Sequence, residues 1–498
     1  MNHTMSSLRV KGTQLVNLNN DQVVLRGAGL GGWMCMENFI SGYPGCEFQI
    51  RDALNNVLGE RKANLFFDKY LEYFFMDSDA MFFRSLGLNC IRIAVNYRHF
   101  EGKRQLSQIF CGAMSTFADD SNPRVLKREG FHHLDRVISL CAKHSIYTII
   151  DMHTAPGAQS GGWHADGGTH IASFWKHKDF QDRFVWLWTE IASHYKYNEW
   201  VAGYNLMNEP ADPHPTFTRL VEVYDRLCTA IQSVDPNHII FLDGNTFASD
   251  FTKFPENVKE RWGENVAYAI HDYSLYGFPK SKEAYVGSAE QKAKLQAVYK
   301  RKRRWMDDRG LCVWNGEWGP VYARTEYDGV ATDEINKARY MVLRDQLELY
   351  NKDMLSWSIW LYKDIGFQGM VYVNPDTPYM ERLRPFLLKK HRLAADAWGA
   401  DDSGVKHLYD PIVNHIVDAV PDEMKRKLYP PLWTLEDRVT RIARTMLVAE
   451  FLVGEWAEIF RGLDEEELEV LAKSFQFESC LKRQGLNDVL KENAEIVA

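Results

Sequence analysis

Eight short runs of β-branched and aromatic residues, each followed by a longer stretch with apolar residues at helical spacing, constrain this chain more than any other feature. The runs span 23–28, 90–95, 147–152, 201–208, 239–243, 266–271, 312–317 and 355–361. Between them lie amphipathic segments such as 131–143, with Leu134, Val137, Ile138 and Cys141 on one face, and 217–234, with Leu220, Val223, Leu227 and Ile231. Strand–helix alternation demands parallel pairing, and eight units in that rhythm predict an α/β fold, a closed (β/α)8 TIM barrel. At 498 residues the chain holds such a barrel, about 250 residues in its plain form, together with insertions and a further unit.

The pattern changes late in the chain. From 409 onward it reads as helices with little strand character, so the expected division is a barrel with an N-terminal strand segment over 1–400 and a C-terminal helical extension packed on it over 401–498. The segment 434–460 carries Leu435, Val439, Ile442, Met446, Leu447 and Phe451 at helical spacing, and 463–475 follows with Asp464, Glu465, Glu466 and Glu467 suited to a helix N-terminus.

A formal net charge of -8 leaves no polybasic surface, which argues against nucleic acid or anionic lipid as partners. No apolar stretch reaches the eighteen or so residues of a membrane helix, and the first thirty residues lack a basic region followed by an apolar one. The eight cysteines, Cys35, Cys46, Cys90, Cys111, Cys141, Cys228, Cys312 and Cys480, show no CxxC spacing, so reduced thiols are expected rather than disulfides or a zinc site. Together these features predict a cytoplasmic protein without cofactor or metal. They leave the oligomeric state open. Aromatic residues make up 13% of the chain, which suits either a large core or stacking on sugars.

Polar residues gather where the strand-like runs end: Arg92, His153, Asn208 with Glu209, Asn245, His271 with Tyr273, Glu317 and Trp360. In a barrel those ends converge on one face, where active sites sit. Glu209 closes the fourth run and Glu317 the seventh, and two carboxyl groups meet the needs of glycosidic cleavage: one supplies a proton and the other attacks or activates water. A free Glu, with a pKa of about 4.3, is ionised at neutral pH, so one carboxyl must be raised while its partner stays charged. A separation of about 5 to 5.5 Å would give retention of configuration and a longer one inversion.

Asn208, Glu209 and Pro210 after the fourth run, Glu317 after the seventh, Arg92 between Ile91 and Ile93, His153 in the Asp-Met-His of 151–153, and the His-Asp-Tyr of 271–273 resemble retaining glycoside hydrolases of family 5, in the cellulase-like clan A, over roughly residues 10–365. The resemblance implies that Glu209 is the acid/base and Glu317 the nucleophile. It further implies that Arg92 and Tyr273 hold the nucleophile's charge, Asn208 donates to the sugar 2-hydroxyl, His153 reaches another hydroxyl and His271 lies near the acid/base. Trp360 would floor the reacting subsite, whereas Trp357 is assigned to the core.

The segment 29–37 is similar to the first-strand region of fungal exo-β-1,3-glucanases, which implies that Glu37 binds the terminal sugar and closes the cleft end. The Gly-rich run 161–168 either builds a cleft wall through Trp163 and His164 or is an ordinary flexible loop. The expected function is a retaining, exo-acting β-glucosidase or exo-glucanase. Its substrate would be a small or oligomeric β-glycoside: a short β-glucan, a glycolipid or a diglycosylated aglycone. An endo-acting β-glucanase of the same family is the alternative, and a catalytically inactive carbohydrate-binding barrel the alternative from another class. A metal-dependent hydrolase using His153, His164, His170 and His271 competes on the same barrel, but no HxH or HExxH spacing supports it.

Overall fold

The computed structural model describes residues 8–102, 124–395, 398, 402–428 and 433–496. Cys111, named above, lies outside them. Eight parallel strands close into a barrel: β1 (Arg26–Leu30), β2 (Cys90–Asn96), β3 (Tyr147–Thr154), β4 (Val201–Asn205), β5 (Ile239–Asp243), β6 (Val266–His271), β7 (Cys312–Glu317) and β8 (Ser356–Ile359). The ring closes where β8 pairs with both β7 and β1. Parallel strands buried on both faces need near-continuous apolar runs, which is why eight of them were legible in the sequence.

Several strand ends differ from expectation: β1 runs Arg26–Leu30, not 23–28, β3 reaches Thr154, and β8 is shorter, Ser356–Ile359. The fourth strand stops at Asn205, not Asn208, because Leu206 and Asn208 turn their backbone N–H groups to Phe241 and Met152 of neighbouring strands. Arg92 is the third residue of β2 and lies inside the barrel, not at its rim. Asn245 belongs to a loop lock, bonded to the backbone of Asp212 on both sides of its amide.

Below the polar mouth the interior is filled by Cys90, Ile149, Phe241, Ala269 and Trp314, with Phe241 edge-on to Trp314 at 4.8 Å. An N-terminal hairpin (Arg9–Lys11 paired with Gln14–Val16) packs Leu8 and Leu15 into the same cluster. Helices ring the outside: α1 (Glu47–Leu58), α2 (Glu60–Phe74), α3 (Asp77–Ser85), α4 (Gly130–Lys143), α5 (Lys178–Tyr195), α6 (Thr218–Val234), α7 (Ala289–Asp307), α8 (Thr332–Lys352) and α9 (Pro378–Arg392). No helix among the described residues is long and apolar enough to cross a membrane, and the seven described cysteines are free.

The C-terminal part contains α10 (Ser403–Ala419), α11 (Leu435–Arg441), α12 (Ala449–Glu458), α13 (Glu465–Lys473) and α14 (Gln484–Ile496). It is not purely helical. Strand Cys480–Lys482 pairs antiparallel with Val371–Val373, which pairs in turn with Lys363–Asp364 just beyond β8. Helix α12 packs on α1 and α13 on α2, with Phe475 stacked on Phe74 and edge-on to Tyr70. The buried Lys363 ammonium ties these parts together, donating to the carbonyls of Phe74 and Phe475 and pairing with Asp79 at 2.7 Å.

Between α11 and α12 the chain makes a π-helical stretch, Ile442–Val448. A π-turn takes more residues per turn and shifts the phase of every later position. Leu447 and Phe451, expected on the packed face, are consequently 53% and 84% exposed, and Leu452, Val453, Trp456 and Ala457 are buried instead.

One close approach inside the barrel sets a stability test. A Cβ on Gly27 of β1 would stand 1.6 Å from the carbonyl oxygen of Cys90 on β2, so only backbone movement could accommodate it. Gly27→Ala is expected to cost about 3 kcal/mol, the upper end for overpacking, read as a lowered thermal midpoint. Gly404→Ala, with open space around its Cβ, should leave the midpoint within a degree or so of the parent.

Candidate active site

The mouth of the barrel is organised around the buried Arg92 guanidinium. Its Nη1 donates to Glu317 Oε1 at 2.5 Å, Nη2 to Asn208 Oδ1 at 2.7 Å and Nε to Asn205 Oδ1 at 3.1 Å, while Asp151 Oδ2 lies 3.1 Å from Nη2. Burial would lower its pKa, but Asp151, Glu317 and Asp243 outweigh that and raise it, so it is a permanent cation.

Glu317 ends β7, and its second oxygen accepts from the Tyr273 hydroxyl at 2.9 Å. Burial alone would raise this carboxyl. The charges of His271 first and Arg92 next overcome it, helped by His153, and hold the pKa at about 2. Glu317 is therefore an anion throughout the neutral range.

Glu209 faces it from the loop after β4. Its φ is +46°, in the left-handed region, and Pro210 follows, which makes the conformation costly for a side chain of this size. The strain is held by Asp243: its Oδ2 accepts the Glu209 N–H at 3.0 Å, and its Oδ1 accepts from Asn205 Nδ2 at 2.8 Å. Glu209 Oε1 lies 2.8 Å from His271 Nδ1 and Oε2 lies 3.4 Å from His164 Nε2. Side-chain atoms of Glu209, His271 and Glu317 come within 4.8 Å of one another, so a single imidazole bridges the two carboxyl groups. Burial lowers the His271 pKa, but Glu317, Glu209 and Asp243 raise it overall; burial conversely lifts Asp243 to about 6.

A second arc surrounds the space in front of this pair. His153 Nδ1 is 2.7 Å from Asp151, and its ring lies parallel to Trp360 at 5.3 Å. Asn208 Nδ2 and Glu37 Oε1 stand 3.2 and 3.7 Å from His153 Nε2. Trp360 fits because β1 and the turn after it carry glycines: a Cβ on Gly29 or Gly31 would come within 2.5 Å of its ring. Trp357, by contrast, is buried against Trp318. Burial, reinforced by Glu317 and Glu209 against the opposing His153, lifts the Glu37 carboxyl to about 8. At neutral pH it is a neutral acid that both donates and accepts.

The Gly-rich run is pinned, not slack. Asp166, itself left-handed at φ +53°, accepts from Asn96 Nδ2, Arg98 Nε and the Phe48 N–H. A Cβ on Gly162 would strike the His164 ring at 2.4 Å. The run turns His164 toward Glu209 and sets Trp163, its ring 5.9 Å from that imidazole, near Glu37. His170 is exposed and stays out of the group. All the site residues singled out from sequence therefore meet at one mouth, through β2, β3, β6, β7 and the loops after β1, β3, β4, β6 and β8.

Sequence reasoning passed over Asp151, Asn205 and Asp243. Asp151 had a signal, since it sits two positions before His153 and shares its strand face; Asn205 and Asp243 had none without the barrel. Glu209, His271 and Glu317 form the one three-donor cluster of metal-ligand type among the described residues. A cation there would face the Arg92 guanidinium at 2.5 Å from Glu317 and would have to displace the Tyr273 bond, so the donor set does not suit a metal.

The family described as Cellulase (glycosyl hydrolase family 5) matches residues 60–366. A protein of Phanerodontia chrysosporium named beta-xylosidase is 62% identical over 495 residues, 99% of each chain. A glucan 1,3-beta-glucosidase of Pichia angusta is 26% identical over 220 residues, 42% of this chain and 45% of its own. The solved endoglucanase Cel5A of Thermotoga maritima shares 17% identity, covers 70% of this chain and 91% of its own, and superposes with a TM-score of 0.47.

The electrostatics of the mouth can be read directly. In carboxyl-labelled protein, NMR titration should show Glu37 losing its proton near pH 8. Glu317→Gln removes a neighbouring anion and should move that midpoint downward; an unmoved or higher value would contradict the coupling.

Proposed function

Because the chain belongs to glycosyl hydrolase family 5 and so hydrolyses β-glycosidic bonds, we propose that it is a retaining, exo-acting β-glycosidase that releases a terminal xylosyl or glucosyl unit from a short glycoside. One observation carries the reading: Glu209 and Glu317 approach within 4.8 Å, the spacing of direct attack, and Glu317 is held as an anion. Glu317 attacks the anomeric carbon as Glu209 gives its proton to the leaving oxygen, and the sugar is left esterified to Glu317. Glu209 then takes a proton from water, whose oxygen displaces Glu317 and frees the sugar.

Arg92 and Tyr273 hold the attacking charge in place before reaction, so no reorganisation is needed as it moves. Asn208 meets the 2-hydroxyl and Trp360 the ring face. Glu37, neutral and beside His153, offers both a donor and an acceptor to the outer hydroxyls, which supports action from the chain end. The 62% identity to a protein named beta-xylosidase supports a xylosyl unit, and the more distant glucan 1,3-beta-glucosidase supports a glucosyl one. The free cysteines support a reducing, cytoplasmic setting.

The test is hydrolysis of 4-nitrophenyl β-xyloside and β-glucoside with the first-formed anomer followed by NMR. The β-anomer should appear first from at least one substrate, and Glu317→Gln should lose several orders of magnitude in kcat. An α-anomer, or comparable activity in the variant, overturns the assignment. Tyr273→Phe tests the support of the nucleophile. Losing one donor raises the Glu317 pKa, so the acidic limb of kcat/KM should move to higher pH, and neutral activity should fall by about a hundredfold.

A further inference from the structure

The segment leading into the C-terminal extension and the extension itself each reach the catalytic mouth, through Trp398 and Trp433. Trp398 lies edge-on to Tyr273 and Phe278, both at 5.0 Å, and its indole N–H donates to Gln368 at 2.5 Å. Tyr273 is the hydroxyl that bonds Glu317. Trp433 meets Phe247 at 5.4 Å, and the Arg441 guanidinium lies over that indole, 4.4 Å from its centroid. Phe247 in turn stands 6.2 Å from His164, whose Nε2 is 3.4 Å from Glu209.

The barrel goes to some cost to present Phe247. Thr246, Phe247 and Ala248 have φ of 56°, 58° and 52°, a left-handed run that L-residues avoid, above all a β-branched Thr. The Phe247 N–H donates to the carbonyl of Pro210, the residue after Glu209, so the strained turn sets this ring beside the acid/base. Thr445 and Met446 of the extension line a small cavity together with Gly162 and Trp163, the residues just before His164. Arg444 anchors the segment to the barrel side through the Ala394 carbonyl and pairs with Asp402 at 2.8 Å.

From this arrangement we infer that the extension supplies the outer wall of the leaving-group space, with Phe247, Trp433 and Arg441 bounding a compartment beyond Glu209 that fits a leaving group of one ring, an aromatic aglycone or a single further sugar. The inference rests on the glycosidase reading above. The acid/base must face the leaving oxygen, so whatever bounds the space beyond Glu209 bounds the leaving group. Phe247 and Trp433 pack on each other, which closes the path a longer chain would need. The guanidinium over the indole and the apolar rings together offer the donor and the apolar surface that a ring carrying hydroxyls needs. The same space receives an acceptor in the second half of the reaction. There an acceptor hydroxyl attacks the anomeric carbon, its proton passes to Glu209, the bond to Glu317 breaks, and Glu317 leaves as the carboxylate.

The experiment measures 4-nitrophenyl β-xyloside and β-glucoside with methyl β-xyloside added as acceptor. The ratio of nitrophenol to free sugar released reports how much glycosyl-enzyme the acceptor intercepts. Trp433→Ala should raise KM and the half-saturating acceptor concentration about tenfold each, the scale of losing one aromatic contact, and should raise the relative rate on xylo- or cello-oligosaccharides. Trp433→Phe keeps a ring and should recover most of the loss. Phe451→Ala, on the exposed side of the same extension, should match the parent protein. Should Trp433→Ala fail to fold by circular dichroism, Phe247→Leu supplies the same readout. An active parent protein with unchanged KM and acceptor saturation in the folded variant overturns the inference. A parent protein that cleaves no β-glycoside overturns the glycosidase reading instead.

Discussion

The buried ion pair between Arg92 and Glu317 is the interaction on which the active site depends. A carboxylate with so little water around it would normally take up a proton, and an isolated guanidinium in the same place would be equally costly. Each charge is tolerable only because the other lies at 2.5 Å and because the remaining hydrogen-bonding capacity is satisfied: Asn205, Asn208 and Asp151 on the arginine, Tyr273 on the acid. Those partners come from β2, β3, β4, the loop after β4, the loop after β6 and β7. The pair therefore exists only when the barrel is closed, which ties catalytic competence to the integrity of the fold.

From that pair the other roles spread outward by charge. Glu317 helps raise both His271 and Glu37, so one anion favours the protonated form of a neighbouring imidazole and of a neighbouring acid. Asp243 holds Glu209 by its backbone, which lets the loop after β4 adopt a left-handed residue before proline. The strain at Glu209 and that at Thr246 to Ala248 lie within one hydrogen bond of each other, through Pro210 and Phe247. Backbone strain clusters at sites where a side chain has to be aimed, and here it aims the carboxyl of Glu209 and the ring of Phe247 into one region.

Much of this was legible in the residue pattern. Buried parallel strands have to be apolar throughout, so β2, β5, β6 and β7 announced themselves within a residue of their observed ends. The catalytic candidates stood out because carboxyl, amide, imidazole and indole groups are poor choices for the end of an apolar strand unless something there needs them. The reading failed where geometry departs from regular periods. The π-helical stretch before α12 rotated the apolar face away from Leu447 and Phe451, and the short strand at Cys480–Lys482 exists only because Val371–Val373 offers it an edge. Asn205 and Asp243 escaped notice for a similar reason: each looks like an ordinary polar residue at the end of an apolar run until the barrel brings them together.

By itself the sequence determined the kind and order of the barrel's elements, the closed parallel barrel, and the two carboxyl groups proposed here as catalytic, since these follow from local periodicity and from which residue types end the strands. Only the tertiary structure decided how near Glu209 and Glu317 come, that Glu317 is charged and Glu37 neutral at neutral pH, and that Trp398 and, from the extension, Trp433 stand at that mouth. Separation, burial and the sum of surrounding charges are properties of residues brought together from a few to over two hundred positions apart, and no local pattern encodes them.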